Sequence, residues 1–550
     1  MTANDYEHAA KAMAAGRYDE AARGFAAQLA RDPLHLPSLV DCGVLCFATG
    51  KPEQAVDLFE RALRQIPDNP AIATNLGRAL AAAGRCVASE GQWRRILASV
   101  PGDANARYEL GKALLAQARH DEALAEFEGA LARIDGPLRP ACWRGCINML
   151  NYLDTVSPER VRDENRRFAA AHTPAAPPAP FANARDPERR LRVGYVTSDF
   201  YSHSVARSMY GLFAHRNRAA IESFVYAEIE RPDAVTNAFG ALSDHWISTL
   251  GADDAAVASR IRADAIDVLV LIAGHFDKNR IGVLLQRAAP VQLSVGDVAP
   301  FGTSAIDGAV FDPTMLAGRG DRFDERVLRH RWNYVHPPIA DAPNVAEPPV
   351  RRNGYVTFGS ANNPAKMSRR TFDLWAAALR AVPNARLKLK FMRAFGEPAM
   401  RALFASRFVA RGVAPERILF ADEALAHDAH LRFYAEIDVA LDTYPFTGST
   451  TTFEALWMGV PVVTLAGTTV LQRWTAAMLA RAGFSDWCAS DDASFARIAA
   501  ELAATAASQD RASVRAKVEK STLCDLPGQA RAYERLYRAM WRRWCAANAA

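Results

Sequence analysis

The feature that most constrains the fold of this chain is a spacing of 34 residues that recurs through its first 135 residues. Five sets of residues share this spacing. They are Gly16, Gly50, Gly84 and Ala118; Phe25, Phe59, Trp93 and Phe127; Leu29, Leu63, Leu97 and Leu131; Pro33, Pro67 and Pro101; and Ala9, Gly43, Gly77 and Gly111. Chance does not keep five sets in register, so the sequence predicts a stack of similar units.

The residue types at these positions indicate what each unit is. Small residues where two helices cross, large apolar residues on the second helix and a proline that ends the pair are typical of a tetratricopeptide helical hairpin. Such hairpins stack into a solenoid with a concave groove, because one hairpin cannot bury its apolar face alone. We expect the groove to hold a peptide or protein partner. The alternative is a spacer or a dimerisation arm.

The helical pattern continues to about Ala171 and then ends in a proline-rich segment. The stretch "HTPAAPPAPFANARDPERR" contains five prolines, and neither a helix nor a strand persists through such a run. We therefore predict a tetratricopeptide solenoid over residues 1–170 and a linker over 171–190.

Beyond the linker, short β-rich runs alternate with helical stretches in two sets. Arg192–Phe200 and Ile266–Gly274 belong to the first set, and Arg417–Asp422 and Asp438–Phe446 to the second, with a proline-rich segment between the sets. Apolar strands that alternate with helices predict parallel sheets covered on both faces. The predicted fold class is α plus α/β: the solenoid, then two Rossmann-like domains at 191–345 and 346–550, with ligands bound at the carboxyl ends of the strands.

Composition excludes several classes of partner and names none. The formal net charge is only +5 without a dense basic block, so neither nucleic acid nor an anionic membrane surface is implied. No run approaches the roughly 20 apolar residues of a membrane span, and the N-terminus has no signal-peptide pattern. The eight cysteines are sparse and form no disulfide or zinc pattern. We expect reduced thiols in the cytoplasm.

A hydroxyl-rich run is the strongest functional signal. "TGSTTTFEALWMGVPVV" lies between the predicted strand at Asp438–Phe446 and a helix predicted from about Thr451 to Met458. The first turn of a helix has unpaired N–H groups and about half a positive charge, so it attracts phosphate. A glycine admits the phosphate close to the backbone, hydroxyls donate hydrogen bonds, and a carboxylate one turn in can reach a ribose or sugar hydroxyl. The predicted diphosphate site comprises Gly448, Ser449, Thr450, Thr451, Thr452 and Glu454. The alternative is an ordinary Ser/Thr N-cap.

A lysine follows the first strand of the same half. In "GSANNPAKMS", Asn362, Asn363 and Lys366 can converge on the same edge of the sheet. An ammonium group neutralises a departing diphosphate without a metal, and the chain has no Asp-x-Asp pair between strands for a divalent cation. We therefore predict no metal site. A solvated loop lysine is the alternative.

Histidines follow strands of the other half. His203 in "SDFYSHSVARS" suits proton transfer or a hydrogen bond to a substrate oxygen, or else it caps a helix. "IAGHFDKNR" places His275, Lys278 and Arg280 on the same rim, with His275 the weaker candidate. In the second half, His430 could lie over a planar base or be a surface helix histidine.

Solenoid, linker and paired sheets in this order resemble glycosyltransferase family 41, the protein O-linked N-acetylglucosamine transferases and the SPINDLY-type O-fucosyltransferases. The resemblance covers almost the whole chain. Its most specific pieces are "RVGYVTSDFYSHSV", "NNPAKMS" and "GSTTTFEALWMGVPVVTL". It implies the GT-B fold and an active-site role for His203, contact of Lys366 with the donor diphosphate, and an amide at Asn363. It also implies donor contacts from Thr450 and Thr451, and His430 near the nucleotide base.

The chain departs from the family pattern at three places. Ser449 stands where the family has histidine in its phosphate loop, and Glu454 replaces an aspartate that contacts the ribose. The family's sugar-side loop appears as "SVGDVAPFGTS", Ser294 to Ser304, without its tryptophan and tyrosine. Thr303 in this loop is a candidate on the acceptor or sugar side, together with His275.

The resemblance and the residues together predict an inverting, metal-independent transfer of a sugar from a nucleotide diphosphate to Ser or Thr of a protein. The donor favoured is UDP-GlcNAc, as a substrate, with no cofactor. The acceptor would bind through the solenoid groove, and self-association is left open. The alternatives are a scaffold with a degenerate transferase domain, O-fucosyl transfer, or N-glucosyl transfer.

Overall fold

The structure is a computed structural model that describes residues 4–176, 179–276, 278–421 and 427–547. Parts of every predicted segment fall outside these ranges. They are residues 1–3 of the predicted solenoid, Pro177 and Pro178 of the predicted linker, residue 277 of the domain predicted at 191–345, and residues 422–426 and 548–550 of the domain predicted at 346–550. Asp422, at the end of a predicted strand, is among them. Within the described ranges, none of the helices has the length and apolar character of a membrane span.

The chain divides into two compact units. The first comprises Met1–Cys142, Asn363–Ala365 and Leu389–Leu425, and the second comprises Trp143–Asn362, Lys366–Lys388 and Ala426–Ala550. The four segment bounds inferred from the sequence, 1–170, 171–190, 191–345 and 346–550, stay predictions. Below, the N-terminal half denotes 191–345 and the C-terminal half denotes 346–550.

Helical hairpins build most of the first unit. Its early helices are α1 (Asn4–Ala14), α2 (Tyr18–Arg31), α3 (Leu36–Ala48), α4 (Pro52–Gln65), α5 (Pro70–Ala82), α6 (Cys86–Ser99), α7 (Ala104–Ala116) and α8 (His120–Leu131). The repeat explains their packing. A Cβ added at Gly43 would lie 2.6 Å from the ring of Phe59, and one at Gly77 would lie 2.6 Å from the ring of Trp93. The small residues thus admit the large ring of the second helix in each hairpin.

Another set of residues with the 34-residue spacing lies in the turns inside the hairpins. Gly16, Gly50 and Gly84 have φ values of 72°, 77° and 79°, and Ala118 has 55°. Glycine adopts this left-handed conformation without strain, which explains why it recurs at the end of the first helix of each pair.

The first unit also contains a segment from far along the chain. The Glu397 carboxylate accepts the N–H groups of Val87 and Ala88 at 2.9 Å each, and so caps the start of α6. His120 Nε2 lies 2.7 Å from the carbonyl oxygen of Ala365.

The second unit begins within the first of two helices that pack against the N-terminal half. They are α9 (Arg139–Leu150) and α10 (Pro158–His172). Ile147, Phe168 and Ala169 pack in one apolar cluster with Val196 and Leu269 of the sheet that follows. The sequence predicted the helices but not their partner.

A parallel sheet forms the core of the N-terminal half. Its strands are β1 (Leu191–Thr197), β2 (Ile221–Ala227), β3 (His245–Ser248), β4 (Val268–Ile272), β5 (Val291–Val295), β6 (Gly308–Phe311) and β7 (Val327–Arg329). They lie in the order β3-β2-β1-β4-β5-β6-β7, with Val193 opposite Val268 in the β1–β4 register. The helices of this half are α11 (Ser204–Ala214), α12 (Ala234–Leu242), α13 (Asp254–Ala263) and α14 (Ile281–Leu285).

The C-terminal half contains a second sheet. Its strands are β8 (Thr357–Ser360), β9 (Arg386–Lys390), β10 (Ile418–Ala421), β11 (Val439–Leu441), β12 (Val462–Leu465) and β13 (Cys488–Ala489), in the order β10-β9-β8-β11-β12-β13. Its helices are α15 (Val350–Asn353), α16 (Arg369–Ala381), α17 (Pro398–Val409), α18 (His427–Arg432), α19 (Thr450–Trp457), α20 (Trp474–Ala482), α21 (Asp492–Thr505), α22 (Arg511–Glu519) and α23 (Leu526–Ala547). β11 pairs in parallel with β8 and β12, so the loops after β8 and β11 lie at one edge.

The last helix returns to the N-terminal half. Tyr533, Tyr537 and Trp541 of α23 are buried in the same apolar cluster as Tyr195 and Val270. Gln529 of α23 donates to the carbonyl oxygen of Ser208 at 2.8 Å. The core of the N-terminal half therefore includes the end of the chain.

Candidate active site

The loop between β11 and α19 is fixed by a buried aspartate. Asp442 follows β11 directly, and its Oδ1 accepts the N–H groups of Gly448 at 2.8 Å and Thr443 at 2.9 Å. Its Oδ2 accepts the hydroxyl of Thr464 at 2.7 Å. The carboxylate therefore holds both ends of the loop, a role that the sequence analysis missed. The signal was present, since the apolar strand "DVALD" ends on this aspartate.

Gly448 is needed for the packing of its own loop. A Cβ at this position would lie 2.4 Å from Thr452 Oγ1 and 3.0 Å from Asp442 Oδ1. Its N–H group is also bonded to Asp442. The interpretation that this glycine clears space for a phosphate stays a prediction, and the missing Cβ also allows the loop to close on its own side chains.

The start of α19 is left open. Ser449 is the N-cap residue, with φ −134° and ψ −87°, and it makes no side-chain capping hydrogen bond to any residue that the structure describes. The alternative of an ordinary serine cap therefore does not hold. Without a capping side chain, the first N–H groups of the helix are directed to a ligand or to water.

The four hydroxyls of this run have different surroundings. Thr451 Oγ1 donates to Asn362 Oδ1 at 3.0 Å, and Thr450 Oγ1 lies 3.4 Å from the hydroxyl of Tyr334. Both threonines, like Ser449, are partly exposed. Thr452 is buried, and its Oγ1 lies 3.0 Å from Thr475 Oγ1. Thr450 and Thr451 therefore line the open start, whereas Thr452 belongs to the core.

Lys366 lies beside the same loop. It ends the short turn after β8, and its Nζ donates to the carbonyl oxygen of Thr447 at 3.2 Å. The ammonium group also lies 4.1 Å from the ring centroid of Phe446. Burial lowers the pKa of Lys366 to about 8, and the Asp442 carboxylate opposes that shift. The ammonium group is thus anchored to Thr447, three residues before Thr450.

The two asparagines of the lysine loop differ in what they contact. Asn362 bonds to Thr451, as described above. Asn363 Oδ1 accepts the N–H group of Ala365 at 3.0 Å and so closes the turn before Lys366. Sequence reasoning favoured Asn363 for donor contact, but Asn362 is the one that touches α19.

The Glu454 carboxylate is contacted by hydrogen-bond donors from three other elements. It is only 4% exposed, yet Arg207 Nη1 lies 3.4 Å from its Oε1. His430 Nε2 lies 3.1 Å from its Oε2, and the Tyr434 hydroxyl donates to the same oxygen at 3.4 Å. Of these, only His430 was a sequence candidate. Arg207 and Tyr434 were missed, because they reach Glu454 only through the fold.

His203 caps α11. Its Nδ1 accepts the N–H group of Val205 at 3.4 Å, and its ring stacks on Tyr201 with centroids 5.3 Å apart. The side chain remains partly exposed. His203 lies one turn before Arg207, so it is on the helix that contacts the α19 site.

His275 packs against the loop Ser294–Ser304 of the N-terminal half. Its Nδ1 lies 3.0 Å from Asp297 Oδ1 and its Nε2 lies 3.2 Å from the carbonyl oxygen of Pro300. Its ring stacks on Phe301 with centroids 4.0 Å apart. Burial raises the pKa of Asp297, and the bond from His275 opposes this shift. These contacts support the loop conformation.

The remaining candidates of the N-terminal half also have structural partners. Thr303 donates its N–H group to Glu325 at 3.1 Å, and its Oγ1 accepts the N–H group of Ala305 at 3.1 Å. Lys278 pairs with Glu230 at 2.5 Å, and Arg280 with Glu228 at 3.0 Å. Among the described residues, no contact between these side chains and α19 is seen.

The chemistry of the arrangement follows from its charges. An uncapped helix start, two hydroxyls and an ammonium group surround one end of α19. Such donors bind an anionic group and stabilise charge that develops on it. A carboxylate one turn further along can accept hydrogen bonds from neutral hydroxyl donors.

The comparisons with known proteins agree with this architecture. The model of glycosyl transferase family 41 matches residues 172–317 and 352–533, and tetratricopeptide repeat models match residues 6–70 and 74–137. A probable UDP-N-acetylglucosamine–peptide N-acetylglucosaminyltransferase SPINDLY of Petunia hybrida is 33% identical over 372 residues, 66% of this chain and 40% of the relative. Its namesake in Arabidopsis thaliana is 32% identical over 411 residues, 72% of this chain and 44% of the relative. The chain thus spans about two fifths of the curated relatives that it matches.

A solved structure is similar over nearly the whole chain. A mutant of the Thermobaculum terrenum O-GlcNAc transferase has a TM-score of 0.85 and 29% identity, and the match covers 94% of this chain and 99% of that chain. The predicted fold, tetratricopeptide repeats followed by two Rossmann-like domains, is confirmed, and so is the resemblance from which we expected a glycosyltransferase. With more than half of its residues matched by the family model, the chain belongs to glycosyl transferase family 41.

Proposed function

We propose that this protein transfers a sugar, with GlcNAc from UDP-GlcNAc favoured, to Ser or Thr hydroxyls of proteins. The observation that carries the proposal is the uncapped start of α19 beside the Lys366 ammonium group. Family membership supports the reaction class. The names of the relatives in Petunia hybrida and Arabidopsis thaliana support the donor and the peptide acceptor.

The proposed reaction is an inverting displacement without a metal. The acceptor oxygen attacks the anomeric carbon from the face opposite the diphosphate, a new C–O bond forms, and the bond to the diphosphate oxygen breaks. Lys366, Thr450 and Thr451, with the first N–H groups of α19, stabilise the charge on the departing diphosphate. No cofactor enters this scheme. The group that takes the acceptor proton is left unassigned.

Further residues have proposed positions around the donor. Gly448 and Ser449 form the loop that presents the helix start, with Asn363 in the turn before the lysine. Glu454 and His430 lie toward the nucleoside. His203 lies on the acceptor side, where His275 and Thr303 support the loop Ser294–Ser304. The solenoid groove would bind the acceptor chain, which reduces the entropy cost of reaching the transition state.

The proposed compartment is the cytoplasm. All eight cysteines lie in described residues and are free, which fits a reducing environment.

Calorimetry with UDP and GDP tests the donor site first. Uptake of one nucleotide by the full chain is the expected result, and uptake of neither would favour a tetratricopeptide scaffold with a degenerate transferase domain. Intact-mass spectrometry of a co-expressed acceptor then identifies the sugar. A hexosamine increment supports the proposal, whereas a deoxyhexose or hexose increment would assign O-fucosyl or N-glucosyl transfer instead.

Lys366→Ala tests the residue that carries the charge. We expect transfer to fall by about 100-fold or more, because a donor to the leaving group is lost in the transition state. The melting temperature should stay nearly constant. Lys520→Ala is the matched control, since that lysine is exposed at the end of α22. A variant that loses its fold would make Lys366 a structural residue.

A further inference from the structure

The buried carboxylate of Glu454 pairs with a side chain of the N-terminal half. Glu454 lies in the second turn of α19, and the Arg207 guanidinium that pairs with it comes from α11. A buried carboxylate is costly to maintain without charged or hydrogen-bonding partners. Arg207 provides a permanent positive charge at this position, since arginine does not lose its proton in proteins.

The orientation of the carboxylate is defined from both sides. Arg207 contacts Oε1, whereas His430 and the Tyr434 hydroxyl contact Oε2. Burial raises the pKa of Tyr434 well above its ordinary value, so this phenol stays a donor. A carboxylate oxygen can accept more than one hydrogen bond. These partners therefore hold the Glu454 carboxylate in a fixed orientation.

The position of Glu454 indicates which part of a ligand it meets. Thr450 and Glu454 are four residues apart on one helix, so their side chains project from the same face. A diphosphate bound at the helix start would thus have the carboxylate one turn away. The group next to a diphosphate in a nucleotide is a ribose, whose vicinal hydroxyls are hydrogen-bond donors that suit a carboxylate.

We propose that Arg207, from the N-terminal half, is a positioning residue for the donor: it holds the Glu454 carboxylate so that this group accepts hydrogen bonds from the nucleotide's ribose hydroxyls. The inference rests on the proposed function and adds a residue to it. It means that the ribose end of the donor site is complete only when α11 lies against α19. Donor affinity then depends on a side chain outside the C-terminal half.

The test is calorimetry of the full chain with UDP, or with GDP if that is the nucleotide bound, and with the 2′,3′-dideoxy form of the same nucleotide. We expect Arg207→Gln to weaken binding of the normal nucleotide by about tenfold, a loss typical of a charged hydrogen-bond partner. Wild type should lose a similar factor for the dideoxy form. Arg207→Gln should lose nothing further with that analogue.

Four further variants distinguish positioning from general structural damage. Arg207→Lys should recover part of the affinity, because it returns the charge. Glu454→Gln should weaken binding, and addition of Arg207→Gln to it should have no further effect, since the two residues act as one unit. Arg218→Gln is the matched control, because Arg218 is exposed just beyond α11 and pairs with Asp244 instead. In steady-state assays, Arg207→Gln should raise KM more than it lowers kcat.

Other outcomes overturn the inference in distinguishable ways. If wild type binds and Arg207→Gln binds equally well, Arg207 does not position the site, and the proposed function stands. If Arg207→Gln loses tenfold for the dideoxy form as well, the guanidinium acts on the diphosphate and not through Glu454. If wild type binds neither UDP nor GDP, the proposed function and this inference fail together.

Discussion

The helices α11 and α19 each follow a strand of a parallel sheet, one in each half, but they differ in how the N–H groups at their starts are satisfied. In α11, the ring of His203 accepts the N–H group of Val205. In α19, Ser449 provides no such bond among the described residues. In the C-terminal half, Ser368 caps α16 and Asp491 caps α21, whereas α17 and α20 have no side-chain cap among the described residues either. An open start is therefore not peculiar to α19, and by itself it does not define an anion site.

The charge beside the two helix starts differs as well. Lys366 is anchored next to the loop of α19 through Thr447 and Phe446. The start of α11 instead has Asp233 nearby, which accepts the N–H group of Ser202 at 2.7 Å. An ammonium group next to one start and a carboxylate next to the other make only α19 suitable for a diphosphate.

Ser449→Asp should have the largest effect, because it would give α19 a capped start like that of α11. A carboxylate at the N-cap would accept the open N–H groups and repel a diphosphate, so we expect the affinity for UDP or GDP to fall by about 100-fold. The melting temperature should stay equal or rise. Calorimetry and thermal unfolding measure the two effects.

Ser157→Asp provides the control for that variant. Ser157 already caps α10 by accepting the N–H group of Arg160, so the same substitution there should leave nucleotide binding unchanged. Full nucleotide affinity in Ser449→Asp would mean that the start of α19 is not the anion site.

The pH dependence of binding should follow Lys366. Its pKa is lowered to about 8, so the ammonium form dominates below that value and is lost as the pH rises through it. A positive charge favours the diphosphate, and affinity should therefore fall by about tenfold between pH 7 and pH 9. Calorimetry over this range measures the trend.

Two variants isolate the lysine's contribution to that trend. Lys366→Arg should abolish the decrease, because arginine stays charged over this range. Any pH dependence of binding that remains in Lys366→Met comes from other titrating groups. An equally steep decrease in Lys366→Met would assign the pH dependence elsewhere.

Thr451→Val should have a smaller effect, about threefold weaker nucleotide binding, because one neutral hydroxyl donor is lost. Thr452→Val is the matched neighbour. Its hydroxyl is buried against Thr475, so this variant should leave nucleotide affinity unchanged and cost about 1 kcal/mol of stability. If the two variants exchange these effects, the assignment of the hydroxyls is reversed.

His203→Ala should leave donor affinity unchanged, which makes it the smallest effect in this series. Loss of the cap should lower the free energy of unfolding by about 1 kcal/mol, and His203→Asn should restore it, because asparagine is a good N-cap residue. Denaturant unfolding and calorimetry measure both quantities. If donor affinity falls in His203→Asn as far as in Ser449→Asp, the two helix starts do not differ in anion binding.

The repeats were the most predictable part of the molecule, because the residues that contact each other in a hairpin recur at one spacing. Gly43 and Phe59, for example, belong to two sets of that repeat and are in contact. The strands β3, β7 and β13 were missed, since they are short and lie at or near the edges of their sheets. Edge strands have weak apolar patterns, because one side remains open to solvent.

The candidate site was predictable only in part. The hydroxyl run and Lys366 were found because their residue types are unusual for packing and follow predicted strands. Arg207 and Tyr334 could not be found in this way, since their contacts with α19 come from other elements. Gly448 was found as a position that admits a phosphate, whereas its role in closing its own loop and helix could not be predicted without the fold.

The return of α23 to the N-terminal half has a consequence for synthesis of the chain. Tyr533, Tyr537 and Trp541 complete an apolar core whose first strand is made more than 300 residues earlier. Proteins generally emerge from the ribosome and fold domain by domain from the N-terminus. Here the N-terminal half must wait, with part of its core exposed to solvent and to chaperones, until translation has delivered the last helix.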